Sequence, residues 1–117
     1  MGPIDSYLQH PVWLAPMAGV TDKAFRTICL RHGAGLTYSE MVSAAGLHYG
    51  GSRKAELFEP ALEERHIAIQ LFGSDPALMA EAAATVERAL DGRLAFIDVN
   101  MGCPVRRLRA RGRVLPS

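Results

Sequence analysis

An amide and a thiol follow an apolar segment near the C-terminus of this 117-residue chain. Leu94 to Val99 is rich in apolar and β-branched residues, which predicts a strand, and Gly102 and Pro104 end it. Asn100 and Cys103 therefore stand just beyond the carboxyl end of a strand. In parallel α/β proteins this end is where ligands bind and chemistry takes place. A role in chemistry for Cys103 has to be weighed against the ordinary case, because an isolated cysteine is more often a small buried apolar residue.

Three earlier apolar runs also end in glycine, proline or a polar residue. The run His66–Gly73 holds one amide in its middle, Gln70, which needs a hydrogen-bonding partner if it is buried. The run Val12–Gly19 breaks at proline and glycine, and the run Leu36–Met41 carries Glu40 near its end. Glu40 is either a residue of the site or only a carboxylate at the end of a strand.

Helical segments separate these predicted strands. Thr21 or Asp22 can begin a helix that runs to about Arg31, and Asp75 followed by Pro76 begins a second one. The spacing predicts that the first helix buries Ala24, Phe25, Ile28 and Cys29. The second helix should bury Leu78, Met79, Ala82, Val86, Ala89 and Leu90, and a short helix is expected from Ser43 to His48.

Strands that alternate with helices predict the α/β class with parallel strands, because a parallel partner requires a long crossover connection. Only about four such units fit the chain. A closed (β/α)8 barrel needs roughly 250 residues, so a barrel would be represented here by its N-terminal half. A complete doubly wound sheet is compatible with the length, but no G-x-G-x-x-G or P-loop motif follows the first strand.

Composition restricts the function classes only modestly. The net charge is +1, and 49% of the residues are hydrophobic, which suits one packed domain. Cys29 and Cys103 lie far apart without further ligands at metal-binding spacing, so we expect no metal site, no disulfide and a reduced, cytoplasmic setting. No signal peptide or membrane helix is visible. Five arginines follow Cys103 and either form a solvated tail or contact nucleic-acid phosphates, namely Arg106, Arg107, Arg109, Arg111 and Arg113.

Four motifs taken together resemble the tRNA-dihydrouridine synthases, in particular their bacterial B-type branch. They are Leu14-Ala-Pro-Met-Ala-Gly-Val-Thr-Asp22, Ser39-Glu-Met-Val42, Gln70-Leu-Phe-Gly-Ser-Asp-Pro76 and Ile97-Asp-Val-Asn-Met-Gly-Cys-Pro104. The resemblance runs from about Val12 to Gly112. It implies residues 1–112 as the N-terminal half of an FMN-binding TIM-barrel domain, with 113–117 as a tail outside the family pattern, produced by truncation or a frameshift.

The resemblance further implies an enzyme that reduces uridine in tRNA to 5,6-dihydrouridine, with FMN as cofactor and NADPH as electron donor. Pro16, Met17 and Ala18 would contact the flavin, and Asn100 would lie near the flavin and the uracil. Cys103 would be the general acid. Gln70 would bind the polar edge of the flavin ring, since an amide offers a donor and an acceptor, or else it is satisfied by neighbouring backbone.

Two alternatives stand beside this interpretation. One is another FMN barrel oxidoreductase of the dihydroorotate or dihydropyrimidine dehydrogenase kind, which also places a cysteine or serine near a flavin. The other is an inactive remnant that binds RNA weakly through its arginines.

Overall fold

The computed structural model describes residues 9–50 and 56–102. Its elements alternate along the chain as β1 (Trp13–Leu14), α1 (Lys23–Arg31), β2 (Leu36–Thr37), β3 (Val42–Ser43), α2 (Ala44–Tyr49), β4 (Ile67–Phe72), α3 (Pro76–Leu90) and β5 (Leu94–Val99). A 3-10 turn at Asp91–Arg93 joins α3 to β5. This alternation confirms the predicted α/β class. No helix in the described ranges is long and apolar enough to cross a membrane.

All strand pairs in the described ranges are parallel, and neighbours follow chain order. β1 pairs with β2, β3 pairs with β4, and β4 pairs with β5. A bridge between Tyr38 and Ala68 continues β2 alongside β4. Segment 36–43 therefore lies between β1 and β4. The predicted run ends at Met41, whereas the structure has a short strand at its start, β2, and a further strand, β3, just beyond it. Each of the four predicted apolar runs contains strand structure, and the order of the strands does not reverse as it would in a doubly wound sheet.

Helix α1 begins where the sequence predicts, but it buries a different face. Asp22 caps its N-terminus by accepting a hydrogen bond from the Phe25 amide at 2.8 Å. Phe25 and Ile28 are 36% and 52% exposed, and Arg26 is only 1% exposed. The predicted stripe of Ala24, Phe25, Ile28 and Cys29 is therefore wrong, since Ala24 is also exposed and Cys29 is half-buried. The helix is rotated because Arg26 reaches a buried carboxylate.

The other predicted helices are confirmed. Asp75 caps α3 through the amides of Ala77 and Leu78, and Pro76 occupies the first helical position. Its buried residues are Ala82, Val86 and Leu90, with Leu78 and Met79 half-buried, whereas Ala89 is exposed and was predicted wrongly. Ser43 caps α2 by accepting from the Gly46 amide at 3.0 Å.

The sheet has two faces with different neighbours. The face toward the helices holds the larger apolar cluster, whose buried residues are Val42, Ala44, Phe58, Ile67, Ile69, Leu71, Ala82, Val86 and Leu90. The opposite face holds a smaller cluster in which Trp13, Tyr38, Ala95 and Phe96 pack on Leu36 and Ala68. The Phe96 ring lies 6.0 Å from that of Trp13 and 5.9 Å from that of Tyr38. We call this second surface the inner face.

A β-bulge in β5 decides which residues of that strand reach the inner face. Ile67 pairs with Leu94, but Ile69 pairs with Ile97, so two residues of β4 span three of β5. Leu94 and Ile97 consequently both pack on the helix-side cluster. Alternation resumes after the bulge, which places Asp98 on the inner face directly beside Gln70, its partner in the register.

Candidate active site

Three polar side chains meet on the inner face at the carboxyl ends of β4 and β5. The Gln70 Nε2 group donates to Asp98 Oδ2 at 2.6 Å. The Asn100 Nδ2 group donates to Gln70 Oε1 at 3.0 Å. The same Nδ2 group also lies 3.5 Å from the sulfur of Met41. All three polar residues are half-buried. A continuous row of hydrogen bonds therefore stands where the sequence predicts a ligand site.

The backbone fixes this row at the sheet edge. The Asn100 amide donates to the Leu71 carbonyl at 2.9 Å, which extends the pairing of β4 and β5 by one residue. The Asn100 Oδ1 atom accepts from the Gly102 amide at 3.0 Å and so closes the turn after the strand. Gly102 immediately precedes Cys103 in the sequence. Cys103 itself, the predicted proton donor, lies outside the described residues.

The inner face below this row is apolar but carries one phenol. Burial raises the pKa of the Tyr38 hydroxyl above its usual value, and the negative charge of Asp98 raises it further. Tyr38 therefore stays protonated throughout the neutral range. The polar row thus rests on an aromatic layer and bears a negative charge at Asp98.

The loop after β1 is the second component of the site. Met17 is tied to Thr21 on both sides, since its amide donates to Thr21 Oγ1 and its carbonyl accepts from the same hydroxyl, each at 3.2 Å. Gly19 takes a positive φ of 74°, which closes a tight turn that glycine adopts readily. Met17 and Ala18 are exposed on this turn, whereas Pro16 is half-buried. The turn thus presents small and flexible side chains outward.

Glu40 fastens this turn to the neighbouring strand. Its Oε1 atom accepts a hydrogen bond from the Gly19 amide at 2.6 Å, across 21 residues of chain. The structure thereby favours the interpretation of Glu40 as part of the site rather than a solvated carboxylate. Met41 follows Glu40 directly and contacts Asn100. Glu40 and Met41 therefore connect the Pro16–Ala18 turn with the row formed by Gln70 and Asn100.

Asp98 is a residue of the row that the sequence pattern did not predict, although it stands within the motif Ile97–Pro104. A carboxylate inside a strand that is otherwise apolar is unusual enough to be a signal. The pairing of Asp98 with Gln70 could not be predicted from the sequence, because no residue pattern indicates the β-bulge that aligns them. Met41 was missed for a simpler reason, since methionine in an apolar segment usually fills a core.

A buried ion pair behind the sheet was missed as well. Arg26 and Glu64 are 1% and 0% exposed, and the Arg26 Nε group donates to both carboxylate oxygens at 3.1 and 3.0 Å. Glu64 also accepts from Thr37 Oγ1 at 2.5 Å and from the Ala61 amide at 2.7 Å. The remaining nitrogens of Arg26 donate to the carbonyls of Thr21 and Glu59. The pair therefore joins α1, β2 and segment 59–64 into one network.

Metal coordination has no candidate in the described part of the chain. Within residues 9–50 and 56–102, no group of three or more histidine, cysteine, aspartate and glutamate side chains is arranged to hold an ion. His48 has a carboxylate partner, since its Nδ1 atom lies 2.5 Å from Glu81 Oε2. Both residues are exposed on the outer side of α2 and α3. This pair stands apart from the inner face.

The strands of this protein are parallel and follow chain order, helices pack on one face of the sheet, and a polar row lies at the carboxyl edge of the other face. These features define an α/β protein with polar side chains gathered at its strand ends. The model of the dihydrouridine synthase family matches residues 13–113. The chain therefore belongs to the dihydrouridine synthase family. The matched region includes every residue assigned to the site above.

Individual relatives agree with this assignment. The chain is 39% identical over 104 residues to tRNA-dihydrouridine synthase B of Vibrio parahaemolyticus, a match covering 89% of this chain and 31% of the relative. It is 43% identical over 102 residues to the protein of the same name from Pseudomonas aeruginosa, covering 86% and 30%. A probable tRNA-dihydrouridine synthase of Treponema pallidum is 38% identical over 112 residues, covering 96% and 32%. The chain thus spans about a third of the length of these relatives.

Proposed function

We propose that this chain is the N-terminal part of the FMN-binding barrel domain of a tRNA-dihydrouridine synthase, with residues 1–112 contributing the first strands and helices. The observation that carries the proposal is the hydrogen-bonded row of Asp98, Gln70 and Asn100 at the carboxyl edge. It lies beside a turn, Pro16–Ala18, that Glu40 fastens to the same edge. Parallel strands that neighbour one another in chain order support this assignment, because the first strands of an eight-stranded barrel follow the same order.

The residues present fit a flavin ring. Gln70 uses one amide hydrogen for Asp98 and one lone pair for Asn100, which leaves one donor and one acceptor for a ligand. The edge of an isoalloxazine ring offers the complementary mixture of acceptors and donors. The exposed turn at Met17 and Ala18 can lie close to a flat ring, because Ala18 and Gly19 carry little or no side chain. FMN is therefore the cofactor that we assign to this site.

The reaction assigned to the whole protein is reduction of a tRNA uridine to 5,6-dihydrouridine, with NADPH as electron donor. When bound, FMN supplies the hydride that reduces the uracil ring. Gln70 and the Pro16–Ala18 turn hold and orient the ring system. Asn100 Oδ1 accepts one hydrogen bond, from the Gly102 amide, and its second lone pair would help to orient the uracil.

The reduction also needs a proton at C5 of the uracil, and we assign its delivery to Cys103. A neutral thiol is a suitable general acid, and Cys103 directly follows Gly102 in the sequence. Gly102, fixed by its hydrogen bond to Asn100, places the start of the turn after β5 at the sheet edge. The uridine must leave its stacked position in tRNA to reach such a site. The arginines of segment 106–113 are then suited to contact the phosphates beside it.

A hybrid protein tests the proposal. Residues 1–112 of this chain are joined to the part of the Vibrio parahaemolyticus enzyme that follows the matched region, and the hybrid is produced in bacteria that lack their own dihydrouridine synthases. We expect flavin absorbance in the purified hybrid and dihydrouridine in the tRNA, measured by mass spectrometry of nucleosides. Gln70→Met should reduce the flavin content at least tenfold, because it removes two hydrogen bonds to the ring.

Gln9→Met is the matched control, since Gln9 is exposed and lies outside the motifs that hold the site residues. It should leave flavin content and dihydrouridine unchanged. A folded hybrid that binds no flavin would refute the cofactor assignment. A flavin-loaded hybrid that reduces free pyrimidines but not tRNA would refute the substrate assignment and favour the dihydropyrimidine dehydrogenase alternative.

A further inference from the structure

The side-chain amides of Gln70 and Asn100 form a row whose direction is set at its two ends. At one end stands the carboxylate of Asp98, which accepts hydrogen bonds and cannot donate them. At the other end stands the backbone amide of Gly102, which donates and cannot accept. Each amide in between can in principle face either way, because oxygen and nitrogen are nearly equal in size.

The carboxylate removes this freedom step by step. Only the Nε2 group of Gln70 can face Asp98, so the Oε1 atom of Gln70 must face Asn100. Two oxygens would repel each other, so Asn100 must turn its Nδ2 group to Gln70. Its Oδ1 atom then faces the Gly102 amide, which is the partner found there. The two ends of the row thus require the same orientation.

We propose that Asp98 is a positioning residue that sets the orientation of both site amides and so decides which hydrogen-bonding groups face the ligand. The inference deepens the proposed function, on which it rests for the nature of the ligand. With Asp98 in place, Gln70 retains one hydrogen and one lone pair. Asn100 retains only a lone pair on Oδ1, because its second hydrogen faces the sulfur of Met41 at 3.5 Å.

Two observations separate this role from ordinary surface pairing. The distance of 2.6 Å between Gln70 Nε2 and Asp98 Oδ2 is short, as expected of a hydrogen bond to a charged acceptor. Asp98 also lies opposite Gln70 in the strand register, so the backbones of β4 and β5 hold the two side chains together at little cost in entropy. The charge of Asp98 also helps to raise the pKa of the Tyr38 hydroxyl on the same face.

The direct test is hydrogen exchange of the side-chain amide groups in the full 117-residue chain, followed by nitrogen-15 NMR without any flavin. In the unaltered chain, the Gln70 hydrogen bonded to Asp98 and the Asn100 hydrogen bonded to Gln70 should each exchange at least tenfold more slowly than in free glutamine and asparagine. Asp98→Leu should speed the exchange of both hydrogens by about tenfold or more, although Asn100 makes no hydrogen bond with Asp98. Glu87→Leu, which removes an exposed carboxylate on α3, should change neither.

A charge exchange provides the second test and does not depend on whether Asp98→Leu folds. Gln70→Glu alone places two carboxylates against each other and should release Asn100. The double variant Gln70→Glu with Asp98→Asn puts an acceptor-only group at position 70, flanked by two donors. Asn100 then keeps its orientation, so its slow exchange should return.

The proposal is overturned if either amide of the unaltered chain exchanges like the free side chain. It is also overturned if Asp98→Leu speeds exchange of Gln70 but not of Asn100, or if the double variant fails to restore Asn100. None of these measurements involves flavin or tRNA. A hybrid that makes no dihydrouridine would therefore refute the proposed function and leave this inference standing.

Discussion

The buried Arg26–Glu64 pair gives the sharpest stability prediction. Arg26→Met preserves the length and apolar stem of the side chain but removes the guanidinium. Glu64, 0% exposed, then keeps only the hydrogen bonds from Thr37 and the Ala61 amide. A buried charge that loses its partner typically costs about 3–5 kcal/mol. Since a whole domain is stable by only about 5–15 kcal/mol, this single change should remove a large part of the free energy of unfolding.

Urea unfolding of the 117-residue chain, followed by circular dichroism, measures the effect. With a denaturant slope of about 2 kcal/mol per molar, the midpoint should fall by roughly 1.5–2.5 M. Arg31→Met is the matched control, because Arg31 makes a comparable 2.5 Å contact with Glu63 but both side chains are largely exposed. Its midpoint should hardly move, since solvent screens exposed pairs.

A double variant separates the ion pair from the packing around it. Replacing Arg26 by methionine and Glu64 by leucine removes both charges together, so no unpaired charge is left in the core. The double variant should be more stable than Arg26→Met alone, by an amount on the order of 1–3 kcal/mol. The reasoning would be refuted if Arg26→Met and Arg31→Met had midpoints within about 0.3 M of each other.

Three further predictions concern the site. The Tyr38 phenol should titrate above the usual value of about 10, read from absorbance near 295 nm, and Asp98→Asn should lower its pKa without abolishing the effect of burial. Because the pKa of Tyr38 is raised in the folded state, the contribution of this group to stability is complete below about pH 10 and is lost as the pH rises through the raised pKa. If the pKa of Tyr38 were the same in Asp98→Asn, the charge of Asp98 would not be a cause of the shift. Glu40→Ala should weaken FMN binding by the hybrid about tenfold, because the Gly19 amide loses its carboxylate, and calorimetric affinities equal to the unaltered hybrid would count against this role. Cys103→Ala should leave flavin reduction by NADPH intact and slow oxidation of the reduced flavin by tRNA roughly 100-fold, and an unchanged single-turnover rate would show that the proton comes from another group.

Local sequence signals determined the elements of this chain. Asp22 and the pair Asp75–Pro76 begin α1 and α3 as predicted, because helix capping depends on only three or four consecutive residues. The segment Leu94–Val99 forms β5 with the predicted bounds, since an apolar run between turn residues is also a local signal. Gln70 lies within the run that forms β4, and Asn100 directly follows the run that forms β5, both as predicted. The structure brings these two side chains into contact.

Tertiary structure decided what those elements face. The apolar spacing of α1 predicted that Phe25 and Ile28 are buried, but the helix turns Arg26 inward to a carboxylate 38 residues away along the chain. A partner so far away in the sequence leaves no periodic pattern within the helix, so the spacing of apolar residues in α1 cannot reveal it. Likewise, Asp98 meets Gln70 only because a bulge shifts the pairing of β4 and β5 by one residue. Side-chain direction in a strand reverses with every residue, so one extra residue settles which side chains share a face, and that choice depends on long-range packing rather than on the local sequence.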